Sequence, residues 1–165
     1  MEYPKAALSV DIVCLKLGGP RDQPQVLLVK RKNDPYKNMW ALPGGFVDIA
    51  TGERTEQAAN RELYEETNIR AGIDTLNLFG VYSTPDRDPR QRTITIAYWT
   101  VVEENDFIVR AGDDAAEAAF FPVSLPAIRR SIGLAFDHGQ ILDDCVQERL
   151  YMNCNGVWQM DSSKL

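Results

Sequence analysis

The sequence predicts one domain of the mixed α/β class, built in the α+β manner from a β-sheet and helices. Five short segments are rich in Val, Ile, Ala or aromatic residues and read as strands, and two further segments have helical spacing. The chain has 165 residues with 44% hydrophobic content, which is enough for one buried core and short for two domains.

Composition limits the classes of partner. The formal charge of −6 and the sequence pI of about 4.8 argue against a general nucleic-acid or anionic-membrane surface, because both partners are polyanions. No apolar run is long enough to span a bilayer, and the N-terminal residues lack the pattern of a signal peptide. We therefore expect a cytoplasmic protein. The three cysteines lack metal-ligand spacing and are expected to be reduced.

The first two predicted strands run from Ala7 to Leu17 and from Gln25 to Lys32. The segment GGPRDQP between them is typical of a turn, so the two strands are expected to pair as a hairpin. A polar loop from Asn33 to Asn38 follows.

The next stretch contains a glycine turn between aromatic residues. Gly44 and Gly45 let the backbone bend sharply and approach a ligand closely. Trp40 is expected to be a core anchor. For Phe46 two interpretations stay open, since the ring could stack on a nucleobase or simply pack.

A helix from Thr55 to Thr67 is the segment around which the chain is organised. A turn of about 100° per residue places Glu62, Glu65 and Glu66 within one arc of its surface. Like charges at these spacings repel, and a hard divalent cation such as Mg²⁺ or Mn²⁺ is the simplest compensating partner. The alternative is a solvated surface helix in which Arg61 pairs with Glu65.

The spacing of these residues resembles the Nudix box, the signature of the Nudix hydrolase family. The matching positions are Gly45, Glu53, the run Arg61-Glu62-Leu63-Tyr64-Glu65-Glu66, and Ile69. This resemblance implies a mixed sheet flanked by helices and the metal-dependent cleavage of nucleoside diphosphates linked to another moiety.

The resemblance also implies roles for individual residues. The metal ligands would be Glu62, Glu65, Glu66 and the carbonyl of Gly44, with Mg²⁺ or Mn²⁺ as cofactor. Glu53 would assist as a ligand or tune the site, and Arg61 would orient Glu65 or Glu53. A carboxylate would take a proton from the attacking water.

Two features depart from the box. The loop from Gly45 to Glu53 is two residues longer than usual, and Asn68 stands where the family usually has Gly. Asn is the non-glycine residue that best tolerates a left-handed helix cap, so the helix is still expected to end there.

Two strands are predicted after the helix, from Leu78 to Thr84 and from Thr93 to Val102. The loop between them carries three arginines, whose guanidinium forks suit phosphate oxygens. An exposed loop whose aspartates neutralise its arginines is an equally good interpretation. The arginines are Arg87, Arg90 and Arg92.

This loop and the later segment from Leu134 to His138 resemble the branch of Nudix hydrolases that includes bacterial ADP-ribose pyrophosphatases. The resemblance implies ADP-ribose as substrate, split into AMP and ribose 5-phosphate, with the arginine loop and Phe46 contacting it. Oxidised nucleotides, dinucleotides and nucleotide sugars stay open as substrates. Many relatives of this branch are dimers, which leaves a homodimer open.

Acidic residues outside the box provide a further candidate. The segment from Glu103 to Asp114 is predicted to be a loop, followed by a short strand from Ala118 to Val123. Nudix enzymes often use an acidic residue from outside the box as a base or an extra ligand. Asp114 and Glu117 are the candidates here, and a solvated acidic loop is the alternative.

The last predicted helix extends from Asp137 to Met152, with Asp137 as its N-cap. Its only histidine, His138, is expected to be structural, because a lone histidine in a first turn is more often structural than catalytic. The tail from Asn153 to Leu165 is polar and expected to be disordered.

Two other classes of function compete with the enzyme. A Nudix-like sensor would bind an ADP-ribose derivative without hydrolysis and carry a DNA-binding domain; the complete set of helix carboxylates and the short tail after Leu150 argue against it. An interaction module would use the acidic helix to bind a basic partner, which leaves the glycine turn without a purpose.

Overall fold

The structure, a computed structural model, describes residues 4–18, 23–103, 115–123, 133–153 and 157–161. Within these residues, seven strands form one mixed sheet and two short strands pair separately. The sheet strands are β1 Ala7–Lys16, β2 Gln25–Arg31, β3 Trp40–Ala41, β4 Gly44–Phe46, β5 Asn77–Tyr82, β6 Thr93–Val102 and β7 Ala115–Pro122. The helices are α1 Thr55–Thr67 and α2 His138–Arg149, with a short 3₁₀ helix Ile73–Thr75, and the separate pair is β8 Leu150–Met152 and β9 Trp158–Met160.

One edge of the central strand β1 is divided, because its two ends pair with different strands. On one side it runs parallel to β6 along its whole length. On the other side, Ser9–Asp11 pair antiparallel with β4, whereas only Leu15 and Lys16 pair with β2, as expected for the hairpin. Since β2 continues instead with β3 and β7, β1 and β2 diverge from this hairpin. The fork between them opens the cavity described below.

The sheet lies between the two helices, which confirms the predicted class. Alternating side chains of β1 face opposite sides, as strand geometry requires. Val10, Ile12 and Cys14 pack in the cluster that contains Ala59 and Leu63 of α1. Val13 and Leu15 of β1 pack in the cluster of α2, which contains Ile141, Leu142 and Cys145.

Helix α1 has the predicted bounds. At its start, the backbone N–H of Arg54 donates to Gln57 Oε1 at 2.9 Å. This bond gives a partner to an N–H group that has no acceptor within the helix backbone. At its end, Asn68 adopts a left-handed conformation with φ of 61°, and its N–H donates to the Tyr64 carbonyl. Asparagine thus caps the helix where the family usually has glycine.

The second half of the chain requires three corrections. Strand β7 begins at Ala115 rather than Ala118. Helix α2 ends at Arg149, because Leu150 leaves the helix to pair with Met160 in a β-ladder. The tail, expected to be disordered, therefore contains a strand. Most of the predicted loop from Glu103 to Asp114 lies outside the described residues.

None of the helices in the described parts of the chain is long and apolar enough to cross a bilayer.

Candidate active site

The acidic face of α1 packs against the glycine turn. Because Ala58, Ala59 and Leu63 are buried in the core, the carboxylates of Glu62 and Glu66 are directed toward β4. The Gly44 N–H donates to Glu66 Oε2 at 2.9 Å. A Cβ added at Gly45 would lie only 2.4 Å from Glu62 Oε1, so only glycine leaves room for this carboxylate.

Arg61 holds the other carboxylates of the box. Its Nε and Nη2 donate to the two oxygens of Glu53 at 2.7 and 2.9 Å. Its Nη1 donates to Glu62 Oε1 at 2.7 Å and to Glu65 Oε2 at 3.1 Å, and Nη2 also reaches the Phe46 carbonyl. These bonds lower the pKa of Glu53 and raise that of Arg61. One guanidinium thus fixes three carboxylates and the turn.

The longer loop between Gly45 and Glu53 is folded around Asp48. The Asp48 carboxylate accepts from the Ala50 N–H at 3.1 Å, and its carbonyl accepts from the Thr51 hydroxyl at 2.9 Å. Glu53 Oε2 accepts from the Asp48 N–H at 2.9 Å while it also binds Arg61. The extra length therefore forms a local turn and leaves the helix and the glycine turn in contact.

Two carboxylates of the acidic face are buried, and a bound cation would stabilise their ionised form. Burial raises the pKa of Glu66 to about 8 and also raises that of Glu62. Buried carboxylates of this kind are stabilised as anions when a cation lies nearby. Oxygen donors also suit hard ions such as Mg²⁺. The residues present therefore fit a divalent metal in donor chemistry, although no group of three acidic, histidine or cysteine side chains among the described residues is already arranged around a common point.

A cavity of about 250 Å³ lies in the fork between β1 and β2, next to this face. Glu66 and the turn Gly44–Phe46 form part of its lining, so the acidic helix borders the cavity directly. The opposite part is cationic and aromatic. It includes Lys30, Arg31, Lys32, Arg87, Arg90 and Phe136.

Aromatic rings and guanidinium groups alternate along the cavity wall. The guanidinium carbon of Arg90 lies 5.1 Å from the ring centroid of Phe46 and 5.7 Å from that of Phe136. Arg31 lies 4.8 Å from the same Phe136 ring. Asp88 accepts two bonds from the Arg90 fork, which keeps the guanidinium in place. Such a wall can contact both phosphate oxygens and a flat base.

Arg87 borders the cavity, but its side chain is buried in a charged cluster. Its Nε and Nη2 donate to the two oxygens of Asp137 at 2.9 and 2.6 Å, and Nη2 also donates to Asp11 Oδ2 at 3.1 Å. His138 Nδ1 accepts from the Leu42 N–H at 2.9 Å, and its Nε2 lies 3.3 Å from Asp11 Oδ1. Burial lowers the pKa of His138, which favours the neutral ring.

Comparison with known proteins agrees with this geometry. The NUDIX domain matches residues 7–145, which is most of the chain. The chain belongs to the Nudix family. An ADP-ribose pyrophosphatase from Methanocaldococcus jannaschii is 46% identical over 121 residues, which are 73% of this chain and 64% of the relative.

Solved structures of Nudix proteins share the fold. A MutT/nudix family protein from Enterococcus faecalis has a TM-score of 0.79 and 34% identity, with 89% of this chain and 63% of that protein covered. The NUDIX domain of Shewanella oneidensis NrtR, solved in complex with ADP ribose, has a TM-score of 0.76 and 27% identity, with 88% and 89% covered. This Nudix chain thus spans about six-tenths of the length of the Methanocaldococcus relative.

The structure groups the predicted Nudix site residues unevenly. Gly44, Phe46, Glu66, Arg87 and Arg90 meet at the cavity. Glu62 and Glu65 lie on the adjoining helix face and Glu53 lies in the loop before the helix, and Arg61 binds all three.

Two predicted residues lie apart from this centre. Arg92 is exposed and donates to the Ser83 carbonyl at 2.6 Å, and it is not part of the cavity lining. Glu117 faces solvent on β7, with its carboxylate 3.7 Å from Lys30 Nζ, and does not line the cavity either. Asp114 lies outside the described residues. The acidic residues that line the cavity are Asp11 of β1, Glu66 of α1, and Asp34 and Asp88 of two loops.

Several cavity residues escaped the sequence analysis. Asp11 lies in the middle of the apolar strand β1, and a charged residue at a buried strand position was the available signal. Arg31 ends β2 and gave no distinct signal among its basic neighbours. Phe136 precedes α2, and its contact with Arg90 depends on the tertiary fold.

Proposed function

We propose that this Nudix chain is a divalent-metal-dependent hydrolase of nucleoside diphosphates linked to another moiety, with ADP-ribose as substrate and AMP and ribose 5-phosphate as products. The observation that carries the proposal is the meeting of two halves at one cavity. Glu66 on the acidic helix and Arg90 on the cationic wall both line it. The similarity to the Methanocaldococcus ADP-ribose pyrophosphatase supports the substrate.

The acidic half would hold the metal. We assign Glu62, Glu65, Glu66 and the Gly44 carbonyl as ligands of Mg²⁺ or Mn²⁺. A bound divalent ion would neutralise diphosphate charge and acidify a water molecule. Arg61 already holds Glu65 and Glu62, so its part is to present these carboxylates from one side of the helix. Glu53 completes this support through its two bonds to Arg61.

The cationic half would bind the substrate. Arg90 and Arg31 border the cavity and offer guanidinium donors to phosphate oxygens. Phe46 is about one-third exposed at the cavity edge, so its ring can stack on the adenine. The diphosphate would then lie between the arginines and Glu66, where the metal is needed.

A small nucleotide is the partner that this arrangement favours. The net charge of −6 opposes a long polyanion, whereas the local arginines suit one diphosphate. A nucleotide substrate also favours a cytoplasmic location. We assign no nucleic acid or membrane partner, and a homodimer is left as a proposal for solution measurements.

The test is a substrate panel with defined products. ADP-ribose, nucleotide sugars, dinucleotides and oxidised nucleoside triphosphates would each be incubated with Mg²⁺ or Mn²⁺, and the products identified. We expect AMP and ribose 5-phosphate from ADP-ribose at a higher kcat/KM than from the other substrates. Turnover of another substrate class alone would overturn the substrate assignment.

Variants of α1 test whether turnover depends on the position of the lost carboxylates or only on the loss of negative charge. The combined Glu65→Gln and Glu66→Gln change should abolish turnover and leave the fold intact. Glu56→Gln removes a carboxylate of the same helix that pairs with Arg54 rather than facing the cavity, and should turn over normally. Equal losses in both proteins would contradict the proposed metal face.

A ligand sensor is the second candidate. The Acinetobacter baylyi relative NtrR is an ADPR responsive transcriptional repressor and is 32% identical over 86% of this chain. The cavity alone would serve binding without hydrolysis. Saturable ADP-ribose binding without any metal-dependent product would favour the sensor over the enzyme.

A further inference from the structure

The buried charged cluster that borders the cavity connects four separate parts of the chain. Arg87 belongs to the loop between β5 and β6, and Asp11 belongs to β1. Asp137 is the residue that directly precedes α2. His138 adds the segment before the glycine turn, because it accepts the Leu42 N–H. Contacts between residues 50 to 96 positions apart hold this cluster together.

The polar groups of the cluster are directed at one another. The Arg87 side chain is 3% exposed, and its Nε and Nη2 donate to Asp137 and Asp11. Because His138 Nδ1 accepts a hydrogen bond from the Leu42 N–H, the neutral ring carries its proton on Nε2, which faces Asp11. A buried arginine that is committed to two carboxylates is a poor phosphate ligand, since binding phosphate would leave those carboxylates unpaired.

Two members of the cluster, Asp11 and Asp137, adjoin the glycine turn and the aromatic wall of the cavity. Asp11 pairs with Gly44 in the sheet, and a Cβ at Gly44 would lie 2.8 Å from Asp11 Oδ1. Asp137 directly follows Phe136, which has a φ of 54° and stacks near Arg90. Movement of the cluster would therefore shift the glycine turn and the aromatic wall together.

We infer that Arg87, Asp11, Asp137 and His138 are positioning residues, which set the distance between the glycine turn and the Arg90–Phe136 wall without contacting the substrate. The inference rests on the proposed function for its kinetic consequences. Its structural part concerns the free protein and does not depend on turnover. It reassigns Arg87, which the sequence suggested as a phosphate ligand, to a role that acts through other residues.

Two histidine variants test the structural part. The variant His138→Asn retains an acceptor near Nδ1 for the Leu42 N–H but does not reach Asp11, whereas His138→Gln reaches toward Asp11 and loses that acceptor. Amide hydrogen exchange would be measured without metal or substrate. We expect His138→Gln to speed exchange at Leu42 at least tenfold with a smaller effect in the loop 84–90, and His138→Asn to change Leu42 less and to speed exchange in that loop.

An arginine pair tests the kinetic part. Arg87→Lys retains the charge but lacks the fork that joins two carboxylates. We expect it to lower kcat for ADP-ribose about tenfold or more with little change in KM, and to be non-additive with Asp137→Asn. Arg90→Lys, the comparison variant at the open wall, should mainly raise KM.

Two outcomes would overturn the positioning role. Loop exchange that is unaffected in both histidine variants would overturn the positioning role, whether or not the chain hydrolyses ADP-ribose. A rise in KM for Arg87→Lys that is additive with Asp137→Asn would make Arg87 a direct ligand and also overturn it. If Arg87→Lys fails to fold, by circular dichroism, Asp137→Asn and His138→Asn decide, with exchange of the β1–β6 amides as the internal control.

Discussion

Arg61 is the residue through which the acidic helix face is ordered. It bonds to Glu53, Glu62 and Glu65 and to the Phe46 carbonyl, so its planar fork fixes three carboxylates relative to the turn. Its side chain is one-third exposed, and solvent therefore weakens each ion pair as a contribution to stability. Its importance lies in geometry more than in folding free energy.

Replacing Arg61 by lysine tests this geometric role. Lysine retains the charge but cannot make the parallel bonds of the guanidinium fork. A displacement of about 1 Å in a reacting group can cost about a hundredfold in rate, so we expect kcat to fall by about that factor. The melting temperature should change little. Steady-state kinetics and calorimetry on the same preparation measure both, and an unchanged kcat would contradict the role.

His138 predicts a pH dependence of stability. Burial lowers the pKa of the folded ring below its ordinary value, so the unfolded chain binds a proton first as the pH falls. The stabilisation is thus present above about pH 6.5, the ordinary histidine pKa, and declines as the pH drops toward the lowered value.

Since His138 is the single histidine, the variant His138→Asn isolates this effect. The difference in unfolding free energy between the wild type and the variant should shrink as the pH is lowered from 7 to 5, as measured by denaturant titration. A difference that stays constant over this range would show that the ring titrates normally in the folded state.

Single residues were predictable from sequence only where local spacing determines them. The carboxylates of α1 share one arc because the helix period requires it, and Asn68 caps the helix because few residues tolerate its conformation. The pairing of Arg87 with Asp137 joins residues 50 positions apart. No local pattern encodes such a contact.

At the scale of elements, the decisive contact is between α1 and β4. The Glu62 carboxylate occupies the space that a side chain at position 45 would fill, and the Glu66 carboxylate accepts the N–H of Gly44. A strand of three residues can hold this position because its partner β1 is buried from residue 9 to residue 15. The glycine turn and the acidic helix thus form one unit.

Gly45→Ala should break this unit. Its Cβ would lie 2.4 Å from Glu62 Oε1, so the carboxylate must move away from the turn. We expect activity to fall about a hundredfold and metal affinity to weaken. The matched control is Gly139→Ala in the first turn of α2, where no atom lies within 4 Å of the added Cβ.

The control should retain activity and be as stable as the wild type or slightly more so, because alanine favours helix. Kinetics and metal titration compare the two variants. Equal effects of the two alanines would show that the space beside Glu62 is unimportant.

Element bounds followed the sequence where start and stop signals are local, as in α1 and β6. The end of α2 could not be placed, because Leu150 is buried like the helical residues before it and continues the apolar pattern. Its pairing with Met160 depends on a segment ten residues away. The early start of β7 depends in the same way on its pairing with β2.

At the scale of the whole molecule, the division of the β1 edge creates the site. β4 and β2 each pair with a different end of β1, and the cavity lies where they separate. The box alone made the family recognisable, because it is a continuous segment. The cavity required the complete topology, since its lining comes from strands β1 to β4, from both helices and from the loops that precede β3, β6 and α2.

Metal binding should stabilise the whole molecule. A divalent ion that binds only the folded protein at about 100 times its Kd would add about 2.7 kcal/mol to the unfolding free energy. We expect Mg²⁺ or Mn²⁺ to raise the melting temperature of the wild type, and to have little effect on the protein with Glu65→Gln and Glu66→Gln. Scanning calorimetry with and without a chelator measures this, and an equal shift in both proteins would place the ion elsewhere.

The central claim is that the acidic helix and the cationic cavity wall act on one substrate. The most direct measurement is the identification of products from ADP-ribose with Mg²⁺ or Mn²⁺, in parallel with the same reaction under chelator. We expect AMP and ribose 5-phosphate only when the metal is present, and none from the double glutamine variant. Intact ADP-ribose in all of these reactions, with the protein folded and metal in excess, would contradict it.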